Sequence, residues 1–185
     1  EWYNYRRKII SEVNPNPGHF ALASMERLVP EFFLITQNVD GLHQRAGSLN
    51  VLELHGNIMR SRCVKCGKKS CTVNIEEKGE IPRCECGGLM GPDVVWFGEM
   101  LPQDVLRNAF NAAEKCDIFF SIGTSTVVQP AASLPMVAKR TGAFVVEINV
   151  EPTVISENVD ETLIGMSGKI LPKLLKKVWD IDISK

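Results

Sequence analysis

Two close cysteine pairs limit this chain's folding options more than any other part of it. They are Cys63-x-x-Cys66 and Cys84-x-Cys86, separated by seventeen residues. Each pair can set two thiolates against one tetrahedral ion at about 2.3 Å. Gly67 follows the first pair and Gly87-Gly88 the second; glycine there lets the chain turn tightly, so that backbone amides face sulfur. The single spacer of the second pair asks for a more extended local backbone. Four thiolates fill a coordination sphere, so the expectation is one structural Zn(2+) held by Cys63, Cys66, Cys84 and Cys86. Four ordinary buried thiols are the competing account, but residues 58–95 hold several glycines, no aromatic residue and little else to bury. Such a stretch needs a staple. Cys71 lies outside this geometry, and Cys116, ahead of an apolar strand, reads as a small core residue. The clustering is poor for a disulfide framework and suits a reducing compartment, the cytoplasm by default.

Around this interruption the chain alternates strands and helices. Residues 1–12 lack glycine and proline and fit a helix, which Asn14-Pro15-Asn16-Pro17-Gly18 breaks. Apolar spacing predicts a second helix over 19–29, and further helices over 103–115, 131–140 and 168–179. Short apolar runs at 32–36, 51–54, 118–122 and 143–148 are of the kind found in parallel strands buried on both faces. The fold class expected is α/β, a parallel sheet with helices on both faces and a small metal-stapled insertion.

Chemistry gathers where these strands end. Thr36-Gln37-Asn38-Val39-Asp40-Gly41-Leu42-His43 follows the first strand, and Leu54-His55-Gly56 the second. An amide, a carboxylate and an imidazole thus leave the carboxyl ends of neighbouring strands, where open α/β sheets bind ligands. Gly123-Thr124-Ser125 and Asn149-Val150-Glu151 follow two further strands.

These segments, with the cysteine pairs and Val94-Val95-Trp96-Phe97-Gly98-Glu99, resemble in order the successive signatures of the sirtuins. The resemblance spans residues 36 to 151. It implies a Rossmann-like fold and an NAD-dependent protein-lysine deacylase, in which an acyl-lysine oxygen displaces nicotinamide and an alkylamidate forms. It implies His55 as general base on a ribose hydroxyl, for which an imidazole of pKa ~6.5 suits. It further implies Asn38 orienting the ribose and a water, Gln37 on the nicotinamide ribose, and Val39 and Asp40 on the nicotinamide amide. Gly123, Thr124, Ser125, Asn149, Val150, Glu151 and Ser167 would contact the rest of the dinucleotide. His43 is expected to brace its loop, and His19 to sit near a helix start.

By the same resemblance, acylated lysine side chains of proteins are the partners. The peptide would lie as an added strand between 94–99 and 126–129, touching Val94, Phe97 and Gly98; Phe97 is expected to line the acyl-lysine tunnel and Trp96 to be core. Tyr3 and Arg6, three apart on one helix face, resemble the Tyr-x-x-Arg of the class that removes succinyl and malonyl groups. A solvated basic helix end, Arg6-Arg7-Lys8, is the plainer alternative. The implied division is 1–31 as a helical segment, 32–57 and 94–185 as the Rossmann-like domain, and 58–93 as the zinc-binding module.

A Gly-rich pyrophosphate loop of the family's kind is not found, since no glycine precedes Gly18. The expectation is that the sequence starts inside a longer protein, and a catalytically incompetent acyl-peptide binder is the alternative function. Nucleic acid is not expected: residues 60–85 carry seven Lys/Arg against four Glu, but no aromatic stacking platform. The 185 residues carry a net charge of −1, so no global field favours nucleic acid or an anionic membrane, and no apolar run is long enough to span a bilayer.

Overall fold

The structure, a computed structural model, describes residues 2–71 and 81–183; residues 72–80 of the expected zinc module lie outside the described residues. Helix α1 (Trp2–Glu12) stops ahead of Pro15, which disfavours helical backbone in the residue before it. Helix α2 (Pro17–Met25) begins at Pro17 rather than His19 and ends short of Val29. Pro17 takes the first turn, where its missing N–H is no loss. Asn16 caps it, accepting from the amides of Gly18 (2.8 Å) and His19 (3.3 Å). The proline read as a breaker is a helix starter.

Strands β1 (Leu34–Thr36) and β2 (Val51–Glu53) pair in parallel, Leu34 opposite Val51. The short helix α3 (Leu42–Arg45) lies between them in sequence. Next come β3 (Gly56–Cys63), β4 (Lys69–Ser70) and β5 (Met90–Val94), an antiparallel sheet of order β4-β3-β5 that the hydrophobic pattern did not announce. Helix α4 (Gln103–Lys115) leads to β6 (Ile118–Ile122); a 3-10 turn and α5 (Leu134–Arg140) lead to β7 (Phe144–Asn149). Strand β8 (Glu161–Ile164), also not foreseen, and α6 (Ser167–Trp179) complete the order. Strands β6, β7 and β8 form a second parallel sheet, in that order.

Alternation along β7 explains the layering. Val145 points into a cluster with Ala109 and Ala113 of α4, Leu134 and Ala138 of α5, and Leu54. Ile35 and Leu52 pack at its margin, so α4 and α5 cover both parallel groups. Val146 and Ile148 point the other way, onto Ala21 and Met25 of α2 and Leu171 and Leu175 of α6. Helices therefore cover both faces, as expected of strands that are apolar throughout. Fully burying each of Leu54, Ile148, Leu171 and Leu175 stabilises the fold by about 1.5–3 kcal/mol. No described helix is long and apolar enough to cross a membrane.

Candidate active site and metal centre

The loops that leave β1, β2, β6 and β7 meet at one rim. A cleft of about 470 Å³ there is lined by Gly123, Thr124, Ser125, Asn149 and Glu151, together with residues 152–154. Gly123 adopts φ 59° with open space where a Cβ would be, so its backbone lies bare to the cleft. The Nδ2 of Asn149 donates to the Thr124 carbonyl (3.0 Å), joining the two walls. Gln37 reaches across from the β1 loop and donates through Nε2 to Thr124 Oγ1 (3.3 Å).

His55 Nδ1 lies 2.9 Å from the Gln37 carbonyl oxygen. A carbonyl only accepts, so Nδ1 carries a proton, and in the neutral ring Nε2 is then the acceptor nitrogen. Imidazole, Gln37, Thr124 and Asn149 are thus linked in series around the rim. Asn38 follows directly, its amide donating to Thr36 Oγ1 (3.1 Å). Asp40 Oδ1 accepts from the Leu42 amide (2.9 Å) and starts α3, as short polar side chains do in turns. The Val39 carbonyl accepts from the Ile58 amide (2.8 Å).

Asn57 and Glu53 support this loop, and sequence reasoning missed both. Gly41, at φ 69°, passes so close to Asn57 that a Cβ would meet its Nδ2 at 3.1 Å. That Nδ2 donates to Glu53 Oε1 (2.7 Å), while Asn57 Oδ1 accepts from the Met59 amide (2.9 Å). Their position two residues either side of His55 was the available signal. Asp93, buried on β5, draws Arg60 (3.0 Å) and Lys69 (3.1 Å), and Arg60 also meets Glu53 (2.6 Å). Charge therefore ties the antiparallel sheet to β2.

The two remaining histidines pair, with ring centroids 4.7 Å apart. His19 Nδ1 accepts from the Asn16 amide (3.2 Å) and closes the cap of α2. His43 Nδ1 is buried with no hydrogen-bond partner among the described residues. Burial first, then His19, push the His43 pKa down to about 4, against the pull of Asp40. Of the other cofactor candidates, Val150 is exposed between Asn149 and Glu151. Ser167 opens α6, its backbone against Gly18 and outside the cleft lining.

The four cysteines converge as their spacing suggested. Their sulfurs all lie within 4.8 Å of one another. Cys63 and Cys86 stand 3.5 Å apart, Cys66 and Cys84 3.7 Å. A tetrahedron with bonds of about 2.3 Å has edges of about 3.8 Å, so the donor set fits one zinc ion. Backbone turns build each pair: the Gly67 amide donates to the Cys63 carbonyl (3.0 Å) and the Gly87 amide to that of Cys84 (2.8 Å). A Cβ on Gly88 would come within 2.8 Å of Cys63 Sγ, so this glycine is required by close approach. The amides of Cys66 and Lys65 bring the Cys63 thiol down to about 6, against burial, while Cys86 beside it is pushed up to about 12, against the Gly88 amide, by the sulfurs of Cys66 and Cys63; the cluster holds its protons unevenly.

Helix α1 stands beside the Val94–Glu99 segment. Tyr3 packs against Trp96, ring centroids 5.9 Å apart, and the Arg6 guanidinium lies 5.0 Å over the Trp2 ring. Trp96 is 57% exposed, so the expectation that it is core is overturned; Phe97 is fully exposed. Val94 is buried on β5 opposite Gly56, and the Val95 amide donates to the His55 carbonyl (2.9 Å). Gly98, at φ 85°, turns the chain so that Glu99 Oε2 can take the Trp96 amide (3.0 Å). The basic run divides. Arg7 is buried, and its guanidinium donates to the carbonyls of Ile58 (2.6 Å) and Arg60 (3.2 Å), locking α1 to β3.

The family model that matches the chain is that of the Sir2 family, over residues 1–130. An NAD-dependent protein deacylase 2 of Pyrobaculum aerophilum is 50% identical over 181 residues, covering 96% of this chain and 71% of that protein. An NAD-dependent protein deacylase of Pyrococcus furiosus is 47% identical over 184 residues, 96% of this chain and 74% of the relative. Among solved structures, a Sir2 homolog in complex with NAD is 43% identical, with a TM-score of 0.92 over 97% of this chain and 70% of its own. A Sir2 protein bound to acetylated peptide is 34% identical, with a TM-score of 0.82 over 91% of this chain and 72% of its own. With its four-cysteine centre, its strand-end cleft and this similarity along nearly its whole length, the chain belongs to the Sir2, or sirtuin, family.

Proposed function

We propose that this chain is an NAD-dependent protein-lysine deacylase that moves the acyl group of a modified lysine to ADP-ribose and releases nicotinamide. The observation that carries the reading is the His55–Gln37–Thr124 connection, which links the imidazole through Gln37 to a residue of the cleft wall. Relatives named as NAD-dependent protein deacylases, and solved relatives holding NAD or an acetylated peptide, support it.

NAD supplies the carbon to which the acyl oxygen bonds as nicotinamide leaves. The protein's part is to bind, orient and move a proton. Glu151 accepts from hydroxyls of the adenosine ribose, beside Asn149, Val150 and, on the adenine side, Ser167. Gly123, Thr124 and Ser125 present backbone amides and hydroxyls to the same ligand. Gln37 bonds the nicotinamide ribose, while Val39 and Asp40 hold the carboxamide. Asn38 orients the ribose and a water. His55 Nε2 takes a ribose hydroxyl proton, and its Nδ1–H bond to Gln37 steadies the imidazolium that results. Cys63, Cys66, Cys84 and Cys86 hold a structural zinc ion with no open position.

The finer preference is for succinyl and malonyl groups. Arg6 forms no ion pair among the described residues. Stacked on Trp2 it keeps the edge of its guanidinium available, suited to a carboxylate by paired charge-assisted bonds. Tyr3, held by Trp96, adds a hydroxyl. The acyl-lysine enters past Phe97, and its peptide pairs with the backbone of 94–99 and 126–129.

The test is to incubate the chain with NAD and succinyl- or acetyl-lysine peptide. Nicotinamide should appear in step with deacylated peptide, and His55→Ala should lower turnover by about 10²–10⁴-fold while the fold persists. Peptide binding with no nicotinamide release would leave a binding protein and refute the enzyme.

A further inference from the structure

Glu147 of β7 is 1% exposed, more deeply buried than any other described carboxylate, and no cation pairs with it among the described residues. Its two oxygens accept from two hydroxyls of one loop: Oε1 from Thr153 and Oε2 from Ser156. The Thr153 amide in turn donates to Ser156 Oγ (2.7 Å). Burying a carboxylate without a cation is costly unless its lone pairs are filled. That cost falls due whenever the loop shifts, so the carboxylate holds the loop in one conformation. Thr153 is also part of the cleft wall.

The opposite rim carries a second anomaly. Thr126 is buried at φ 54°, a left-handed backbone that disfavours β-branched residues. Three contacts hold it there. Its single hydroxyl proton is shared between the Ser125 carbonyl (2.7 Å) and Thr153 Oγ1 (3.3 Å), whose own proton goes to Glu147, and its amide donates to Thr124 Oγ1 (3.3 Å). Backbone strain of this kind persists only where the surroundings impose it, and it gathers at ligand sites. Glu147, Thr153 and Thr126 therefore form one brace running from the sheet, through the 149–156 loop, to the 123–126 loop.

We infer that Glu147 and Thr126 are positioning residues that pre-set the two rims of the cleft for its ligand. This rests on the reading that the ligand is the adenosine diphosphate ribose portion of NAD. Neither side chain bonds the ligand. Each fixes the wall that does, and a rim set in advance loses less freedom on binding.

Glu147→Gln disturbs the core, so the decisive variants are Thr126→Gly and Thr153→Val, with Thr153→Ser as rescue. The measurements are ADP-ribose affinity by calorimetry, amide exchange over 123–126 and 149–156, and thermal midpoint. Thr126→Gly should keep or raise the midpoint, because the strain is relieved, yet bind ADP-ribose about tenfold more weakly and exchange faster in both loops. Thr153→Val should show the same two losses, and Thr153→Ser should restore them. Unchanged affinity or unchanged exchange in Thr126→Gly and Thr153→Val would overturn the brace. Failure of the unaltered chain to bind ADP-ribose would refute the dinucleotide reading instead; exchange then decides alone, faster supporting the brace and unchanged overturning it.

Discussion

Arg6 and Arg7 are adjacent in sequence and opposite in role. Arg7 is buried and spends its donors on backbone carbonyls of β3. Arg6 lies on the surface over Trp2. A contiguous basic run gave no sign of this division, because which arginine turns inward depends on where β3 passes beneath α1. Replacing Arg6 by Met should therefore remove desuccinylation while largely keeping deacetylation, since only the charged acyl group needs a guanidinium. Parallel kcat/KM measurements on succinyl- and acetyl-lysine peptides check this, and equal loss of both would sink the assignment. At the same scale, the nearness of His55 and Gln37 was legible because both leave the ends of paired strands. Asn57 was not, because its task is to lie under Gly41, a contact created by the fold.

At the scale of elements, the antiparallel sheet was the largest surprise. Strand β3 puts Arg60 and Arg62 toward Asp93, so its covering is an ion-pair network instead of apolar side chains. A search for alternating hydrophobicity passes over such a strand. The cysteines, by contrast, were legible before any strand was, because ligand spacing survives whatever fold surrounds it. The distal part of this sheet is held by little else: β4 has two residues, and Cys63 is the one cysteine of the four that is buried. Metal removal should therefore act locally. A strong chelator should release one zinc per chain and strip amide protection from 63–70 and 84–90, while β6 and β7 stay protected. Elemental analysis and hydrogen exchange test it; protein purified without zinc, yet with those amides protected, would refute the structural metal.

Across the whole molecule, alternation of strands and helices was readable because both faces of β6 and β7 are covered by helices. The division of the parallel strands into a β1–β2 pair and a β6–β7–β8 sheet was not, since pairing between strands distant in sequence leaves no local trace. Beside the loop that leaves β1 lies one partly buried imidazole whose protonation opposes folding. His43 sits on α3, directly after the loop that carries Asn38 and Asp40, with a buried Nδ1 that has no partner among the described residues. Its folded pKa of about 4, set chiefly by burial and then by His19, lies below the ordinary histidine value of 6.5. A folded pKa depressed in this way means the unfolded chain binds the proton more tightly. The resulting stability is complete above pH ~6.5 and is lost as pH falls toward about 4. Asp40 opposes the shift, and His19 adds repulsion once both rings are charged. The thermal midpoint of the chain should therefore fall between pH 7.5 and 5, and His43→Gln should flatten that fall, because an amide in the same place does not titrate. Identical pH slopes in the chain and the variant would show that His43 takes up its proton equally well folded and unfolded, and that the loop carrying Asn38 and Asp40 owes nothing to its neutrality.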